Sequence, residues 1–88
     1  MDRQNFEEAL KRDGYDVMVN TTVGAKTNPV HSHDYDVRAM VLDGALTMNC
    51  DGKVVTYKAG ETFTMMRGRE HAESYGPEGA ITLLGRKH

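Results

Sequence analysis

Turn-forming residues recur along most of this chain, and their spacing limits the fold more than any other feature of the sequence. Turns are expected at Asp51-Gly52, Ala59-Gly60-Glu61, Arg67-Gly68-Arg69 and Gly76-Pro77-Glu78-Gly79. The segments between them are rich in apolar and β-branched residues, and Asp-Gly is typical of a two-residue hairpin turn. Seven or eight short strands with turns at near-regular intervals indicate an antiparallel sandwich or barrel rather than a parallel sheet.

The strands follow from alternating or continuous apolar patterns after Gly14. We predict strands over residues 15–22, 37–42, 46–50, 54–57, 62–65, 71–75 and 80–84. Residues 1–13 predict one short helix, because Asp2 can cap its start while Phe6 and Leu10 recur at helical spacing. The predicted fold is therefore all-β, a small antiparallel β-barrel over residues 15–86, with the helix packed on its outside.

Length and charge exclude several classes of protein. A chain of 88 residues fits a single domain, and its formal net charge of −2 without a basic stripe argues against nucleic-acid binding. No apolar run approaches the roughly 18 residues of a membrane span. Cys50 is the only cysteine, so a disulfide framework and a thiolate metal cluster are excluded. The first residues lack the layout of a signal peptide, and a cytoplasmic location is expected.

Three of the four histidines stand where metal chemistry would need them. His31 and His33 are two residues apart, so in a strand their side chains point to the same face. Two imidazoles placed in this way can converge on one ion at about 2.1 Å each. His71 begins another predicted strand, and a barrel can bring it opposite. Alone, the His-x-His pair is also typical of two solvated histidines at the start of a strand.

The segment around the first two histidines resembles the first motif of the cupin superfamily. That motif reads Gly, five residues, His-x-His, three or four residues, Glu, six residues, Gly. Here Gly24 is followed by six residues, by His31-Ser32-His33 and later by Gly44. The acidic position of the motif falls on Val37, which cannot bind a metal.

The segment around the third histidine resembles the second cupin motif, which reads Gly, five residues, Pro-x-Gly, two residues, His, three residues, Asn. Here Gly60, Gly68 and His71 match without a gap, while Met66 replaces the Pro and Tyr75 replaces the Asn. With the hairpin between the two motifs, the resemblance covers residues 24–84.

The resemblance to cupins implies a jelly-roll barrel, also called a double-stranded β-helix, with a metal site inside its mouth. The three histidine ligands of the family map onto His31, His33 and His71. The cofactor would be one divalent transition metal ion, and Fe, Ni, Zn, Cu and Mn all remain candidates. Three histidines and water would leave coordination positions open, as a catalytic metal needs.

Two carboxylates are candidates for a fourth ligand, and the first is Asp36. A regular strand from His33 points Asp36 outward, and a bulge at Asp34-Tyr35 would turn it inward. The alternative is an ion pair between Asp36 and Arg38 on the outer face.

The second candidate for a fourth ligand is Glu73. It lies two residues after His71 and therefore on the same face of that strand. The alternative is an exposed acid at the strand end beside Arg67 or Arg69.

Several residues are expected to line a pocket next to the metal. These are Tyr35, Tyr75, Met48, Phe63 and Met65, with Ile81 and Leu83 in the same interior or at the sheet contact. A phenol in this position can donate a hydrogen bond to a bound substrate, or it can serve only as an amphipathic wall. Methionine packs irregular cavities well and also suits a soft apolar pocket.

The strand over residues 37–42 would be apolar on its outer face as well, where it carries Met40 and Leu42. Such a face needs a cover, which is either the N-terminal helix or a second subunit. A homodimer is predicted on this ground.

Three functions are compatible with these features. The first is a metal-dependent enzyme acting on a small organic molecule, either dioxygenase-like, as for cupins with three histidines and no carboxylate, or by Lewis-acid chemistry. The second is a non-enzymatic module that binds or senses a small molecule. The third is a barrel with a purely structural metal, which predicts a closed shell of four ligands.

Overall fold

The computed structural model describes residues 2–88, in which one helix and six strands form. In chain order the elements are α1 (Arg3–Arg12), β1 (Asp16–Thr22), β2 (Lys26–His31), β3 (Asp36–Cys50), β4 (Lys53–Lys58), β5 (Thr62–Met65) and β6 (His71–Lys87). All strand pairs are antiparallel. The prediction of an all-β fold with a short N-terminal helix is confirmed. Within residues 2–88, no helix is long and apolar enough to cross a membrane.

The long strands β3 and β6 pair with each other and each contributes to two faces of the molecule. On the first face, β1 pairs with residues 80–86 of β6, and β5 pairs with residues 37–40 of β3. On the second face, β2 pairs with the start of β6, and β4 pairs with the end of β3. The two faces lie over each other as a jelly roll and enclose the interior in which the histidines meet.

The transition from one face to the other occurs within continuous strands. The sequence predicts separate strands over 37–42 and 46–50, and over 71–75 and 80–84, and this division is wrong because β3 and β6 run through both pairs. Gly44 in β3 and Gly79 in β6 adopt φ of 76° and 66°, and the β3–β6 register shifts around Gly44. Only glycine adopts such φ values readily, so each strand bends without ending.

Helix α1 covers the outside of the first face. Asp2 caps it, since its Oδ1 accepts a hydrogen bond of 2.8 Å from the backbone N–H of Asn5. Phe6 and Leu10 are buried against Met40 and Leu83 of the sheet. The outer face of β3 is therefore covered by the helix, which is one of the two covers that the sequence allows.

A second apolar cluster lies between the two faces. It contains Val37, Ala39, Leu46, Met48 and Met65. Burying one of its Val, Leu or Met side chains contributes about 1.5–3 kcal/mol to folding. This inner cluster forms the apolar wall of the interior, next to the histidines.

The Asp51-Gly52 hairpin is confirmed. Asp51 and Gly52 both have positive φ, 54° and 80°, as the tight turn between β3 and β4 requires.

Candidate metal centre

The structure brings His31, His33 and His71 together at one end of the interior. One ring nitrogen of each lies within 4.8 Å of those of the other two. The ring centroids are 4.9 Å apart for His31 and His33, 4.4 Å for His31 and His71, and 5.3 Å for His33 and His71. Nitrogen ligands about 2.1 Å from a shared ion lie about 3 to 3.4 Å apart. The nitrogens lie up to about 1.8 Å farther apart than this. Rotation of the three side chains can close that difference, so the three donors fit one ion.

The backbone positions the three rings in two different ways. His31 ends β2 and His71 begins β6, and the two are direct partners in the antiparallel ladder. His33 lies beyond the end of β2, so the expectation that His31 and His33 share one strand is wrong. A register shift between Asn28 and His31 shows that β2 is already irregular at this end.

His33 is nevertheless held in place from two sides. Its carbonyl oxygen accepts a hydrogen bond of 2.7 Å from the backbone N–H of Gly68. Its ring stacks on Tyr35 with centroids 4.8 Å apart and an interplanar angle of 19°. The segment after β2 is thus tied to the segment before β6, and the third imidazole is fixed without being part of a strand.

Hydrogen bonds to the backbone orient the other two imidazoles. Nδ1 of His31 lies 2.7 Å from the carbonyl oxygen of Pro29, and Nδ1 of His71 lies 3.0 Å from that of Arg69. A carbonyl oxygen can only accept, so in both rings Nδ1 carries the proton and donates it. Nε2 is then the nitrogen with a free lone pair, which is the arrangement found around metal-bound histidines.

The electrostatics of the cluster favour neutral imidazole at His33. Burial lowers the pKa of His33 below its ordinary value, and the neighbouring His31 and His71 lower it further, while Glu73 acts in the opposite direction. Only the neutral ring can bind a metal ion. The site therefore keeps His33 in the form that a metal requires.

Of the two candidate carboxylates, Glu73 is the one beside the histidines. Its Oε1 lies 3.5 Å from Nε2 of His31 and accepts a hydrogen bond of 3.2 Å from the side-chain amide of Asn28. The Glu73 side chain is 17% exposed. The alternative of an exposed acid beside Arg67 or Arg69 is therefore wrong.

Asp36 lies away from the histidine group. Its Oδ1 accepts a hydrogen bond of 2.9 Å from the backbone N–H of Arg67 and lies 3.6 Å from Nε of the same residue. The expected pair between Asp36 and Arg38 does not form, because Arg38 binds Asp13 at the end of α1 at 3.0 Å. Asp36 thus joins β3 to the loop before β6.

A cavity of about 260 Å³ opens from the histidines between the two faces. Its walls include the five residues that the sequence places near the metal, which are Tyr35, Tyr75, Met48, Phe63 and Met65. Burial, and then Glu73, raise the pKa of the Tyr75 phenol, which is therefore neutral near pH 7. Along β6 the cavity is lined by Thr82 and Leu84. Leu83 lies instead beneath α1, so of its two expected places it takes the contact on the sheet and not the interior.

Polar residues that the sequence analysis missed complete the cavity walls. Asn28 and Lys26 come from β2, and Arg86 comes from β6. The position of Asn28 follows from its pairing with Glu73. That of Arg86 follows from the alternation Thr82, Leu84, Arg86, which is visible in the sequence only once the parity of β6 is known.

An antiparallel jelly roll with a histidine cluster at one end of its interior defines a protein of the cupin type. The family model for the cupin domain matches residues 17–81, and the chain belongs to that family. No curated protein matches the sequence.

Solved structures show the same fold. A Rhizobium leguminosarum protein of unknown function superposes with a TM-score of 0.77 at 23% identity, over 85% of this chain and 71% of that chain. A cupin-2 domain protein from Shewanella frigidimarina gives 0.69 at 23% identity, over 84% and 71%. A putative mannose-6-phosphate isomerase from Ralstonia eutropha gives 0.71 at 17% identity, over 86% and 76%. Similarity at sequence identities this low shows the fold and gives no evidence about activity.

Proposed function

We propose that His31, His33 and His71 hold one divalent transition metal ion and that the chain binds a small organic molecule at this ion. The observation that supports the proposal is the convergence of three imidazole nitrogens within 4.8 Å at the end of a cavity. The Nδ1 bonds of His31 and His71 strengthen it, because they turn the Nε2 lone pairs away from the backbone. Imidazole nitrogen suits Fe, Ni, Zn and Cu best, and Mn is the fifth candidate.

The remaining residues of the site shape what the ion can bind. Three protein ligands leave positions for water or a substrate oxygen. Met48, Phe63 and Met65 exclude water from one wall, and the neutral phenol of Tyr75 can donate a hydrogen bond to a bound oxygen. When bound, the ion would act as a Lewis acid on a carbonyl or enol group or take part in oxygen chemistry.

We place a metal-dependent enzyme of dioxygenase-like or Lewis-acid type first among the functions. The position of the family carboxylate is taken by Val37, which is buried. Three neutral protein ligands offset less of the charge of the ion than a set that includes a bound carboxylate, which favours polarisation of a bound carbonyl.

A non-enzymatic binding module is the second candidate, and the short connections favour it. Within residues 2–88, the longest stretch outside the helix and strands is 66–70. No longer loop in the described part of the chain is available to close over the cavity. Such a site would bind a ligand tightly without turning it over.

Elemental analysis of the purified protein tests the metal site. We expect about one divalent metal ion per chain in the wild type and in His88→Ala, and a loss of metal in His31→Ala and His33→Ala. His88 is a matched control, because its ring lies 4.9 Å from Tyr35 but is not in the histidine group. Wild-type protein that takes up no metal from any of the five candidate salts would overturn the proposal.

Turnover assays separate the enzyme from the binding module. Protein loaded with Fe(II) is followed in an oxygen electrode with diketone, thiol and flavonoid compounds, and Zn- or Ni-loaded protein is followed for isomerisation of hydroxyketones. Turnover that is lost in His33→Ala identifies an enzyme. Saturable binding of the same compounds without turnover identifies a binding module.

The domain organisation, the location and the oligomeric state of the protein are proposed as well. We propose that residues 1–88 form a single cupin domain and that the protein acts in the cytoplasm. A homodimer is proposed as well, although α1 now covers the face that motivated it. Sedimentation of the purified protein tests the dimer directly.

A further inference from the structure

Arg86 is a cation that faces the interior of the jelly roll without a carboxylate partner. Its side chain is half-buried and lines the cavity that holds the histidines. The guanidinium carbon lies 5.3 Å from the ring centroid of Tyr35, over its face. Among residues 2–88, Arg86 forms no ion pair. A guanidinium withdrawn from water in this way retains the capacity to bind an anion.

Arg86 and the paired histidines lie on different faces of the jelly roll. His31 and His71 are paired on the second face, between β2 and the start of β6. Arg86 lies at the other end of β6, paired with β1 on the first face. Tyr35 connects the two, since its ring stacks on His33 and also contacts the guanidinium of Arg86. The cation is therefore held at a fixed position next to Tyr35, which also contacts the histidine group.

The charges lining the cavity add to a positive interior. Glu73 is the one carboxylate among the lining residues, and it already accepts a hydrogen bond from Asn28. Lys26 and Arg86 are both cationic and line the same cavity, with Lys26 on the exposed side. A divalent ion at the histidines would increase this positive charge further, so an anionic ligand is favoured over a neutral one.

We propose that the ligand of this cavity is a small organic acid whose carboxylate pairs with the Arg86 guanidinium while a second oxygen group faces the histidines. The planar fork of arginine matches the two oxygens of a carboxylate. A phosphate ester presents three acceptor oxygens and up to two charges, which one fork satisfies less well. The contact between the carboxylate and Arg86 depends on Arg86 alone, whereas the contact at the histidines rests on the proposed metal site.

The size and walls of the cavity limit the acid to a short one. A volume of about 260 Å³ corresponds to fewer than ten water molecules at about 30 Å³ each. Val37, Met65 and Leu84 supply apolar contacts for a few carbon atoms between the two polar ends. Arg86 also lies beyond residue 81, the last residue matched by the cupin family model. The match to the family model therefore does not include this residue.

Monoamides of dicarboxylic acids and the corresponding diamides test the proposal by calorimetry on metal-loaded protein. The pairs are oxamate with oxamide, malonamate with malonamide and succinamate with succinamide, so that each pair differs only in the carboxylate that Arg86 would bind. We expect at least one of the acids to bind about tenfold more tightly than its diamide, as for hydrogen bonds to a charged group. Methyl phosphate is the competing anion and is expected to bind more weakly than the preferred acid.

Variants at Arg86 show whether the preference comes from this residue. Arg86→Gln should reduce the preference to less than about threefold, Arg86→Lys should retain part of it, and metal content should not change in either. Lys87→Gln is the matched control, because it removes the same charge from the next residue of β6, which is exposed and does not line the cavity. An equal preference in wild type and Arg86→Gln, or tighter binding of methyl phosphate, would overturn the proposal.

A second measurement separates this proposal from the metal site and does not depend on a variant that must fold. Chelator-treated wild-type protein is titrated with malonamate and, separately, with malonamide, two compounds that differ by one charge. The NMR resonance of the Arg86 Nε–H group is followed during each titration. A saturable shift with the acid alone supports the carboxylate contact even if elemental analysis finds no metal. No shift with either compound, together with no preference in the metal-loaded protein, refutes it.

Discussion

Two backbone carbonyl groups set the orientation of two imidazole rings. In each case the carbonyl belongs to the residue two positions earlier, Pro29 for His31 and Arg69 for His71. The local course of the chain therefore selects the tautomer before any ion is present. The identity of these histidines was predictable from their spacing, but the ring nitrogen available to a metal follows only from the backbone conformation.

Glu73 is the side chain that distinguishes an open metal site from a closed one. Its carboxylate lies 3.5 Å from Nε2 of His31. Glu73→Gln keeps the shape and the contact with Asn28 while removing a negative charge next to the ion. We expect the affinity for a divalent metal to fall about tenfold if Glu73 acts through its charge, since replacing such a neighbour typically costs about 10–100-fold. Competition with a chromogenic chelator measures this affinity.

Glu70→Gln is the control for this change, because Glu70 is exposed just before β6 and is not in the histidine group. If Glu73 is the fourth ligand of a closed shell, as a structural metal requires, Glu73→Gln should reduce the affinity for the metal ion more strongly. In that case Glu73→Gln would abolish metal retention during dialysis and would remove the carboxylate signature from the X-ray absorption spectrum. Unchanged affinity would exclude any contribution of Glu73.

The sequence carries more information about the three histidines than about their acidic neighbours. The motif spacing selects His31, His33 and His71 because it reflects the turns that separate the strands. The partner of Asp36 depends on which loop approaches the start of β3, and that loop is brought there by tertiary structure. Local patterns therefore suggested Arg38, while the fold supplies Arg67.

At the scale of elements, the bend in β6 depends on a single close approach. A Cβ built on Gly79 would overlap the carbonyl oxygen of Thr22, and φ at this residue is 66°. Gly79→Ala therefore combines left-handed strain with a backbone clash. We expect it to lower the free energy of unfolding by about 2–6 kcal/mol, from about 1–3 kcal/mol each for strain and overpacking. Urea denaturation followed by circular dichroism measures this change.

Gly60→Ala separates the two causes. Gly60 also has a positive φ, 89°, but nothing lies within 4 Å of a Cβ built there. This variant should show the strain alone, about 1–3 kcal/mol. Equal losses in the two variants would mean that the contact between β6 and the end of β1 does not constrain the bend.

The same bend explains why strand boundaries were only partly predictable. The tight hairpin at Asp51-Gly52 was recognised because both residues favour positive φ. The Gly-Pro-Glu-Gly segment at 76–79 has an equally strong turn composition, yet β6 continues through it, paired with β3 up to Tyr75 and with β1 and β3 again from Ala80. Local composition predicts that the chain changes direction here. Whether β6 continues beyond the bend depends on the strands with which it pairs on either side.

At the scale of the whole molecule, a bound ion stabilises the native state because an unfolded chain cannot assemble the site. At a free metal concentration of 100 times Kd this linkage contributes about 2.7 kcal/mol. For a chain of this size, about 4–8 °C in Tm accompanies each kcal/mol. Removal of the metal by a chelator should therefore lower Tm by about 10–20 °C in a calorimetric scan.

Two variants are controls for the effect of the chelator on Tm. His33→Ala should melt at the same temperature with and without chelator, while His88→Ala should show the full wild-type difference. A wild-type protein that retains metal by elemental analysis and yet melts at one temperature in both conditions would contradict the linkage.

The pairing of β2 with β6 also has a consequence for biosynthesis. His31 and His71 are forty positions apart, and the strand that carries His71 is the last of the six described strands in chain order. The first two imidazoles are therefore synthesised well before the third, and they can complete the proposed coordination sphere only after β6 has been made. Binding of the proposed ion would then follow the slow closure of non-local strand pairs.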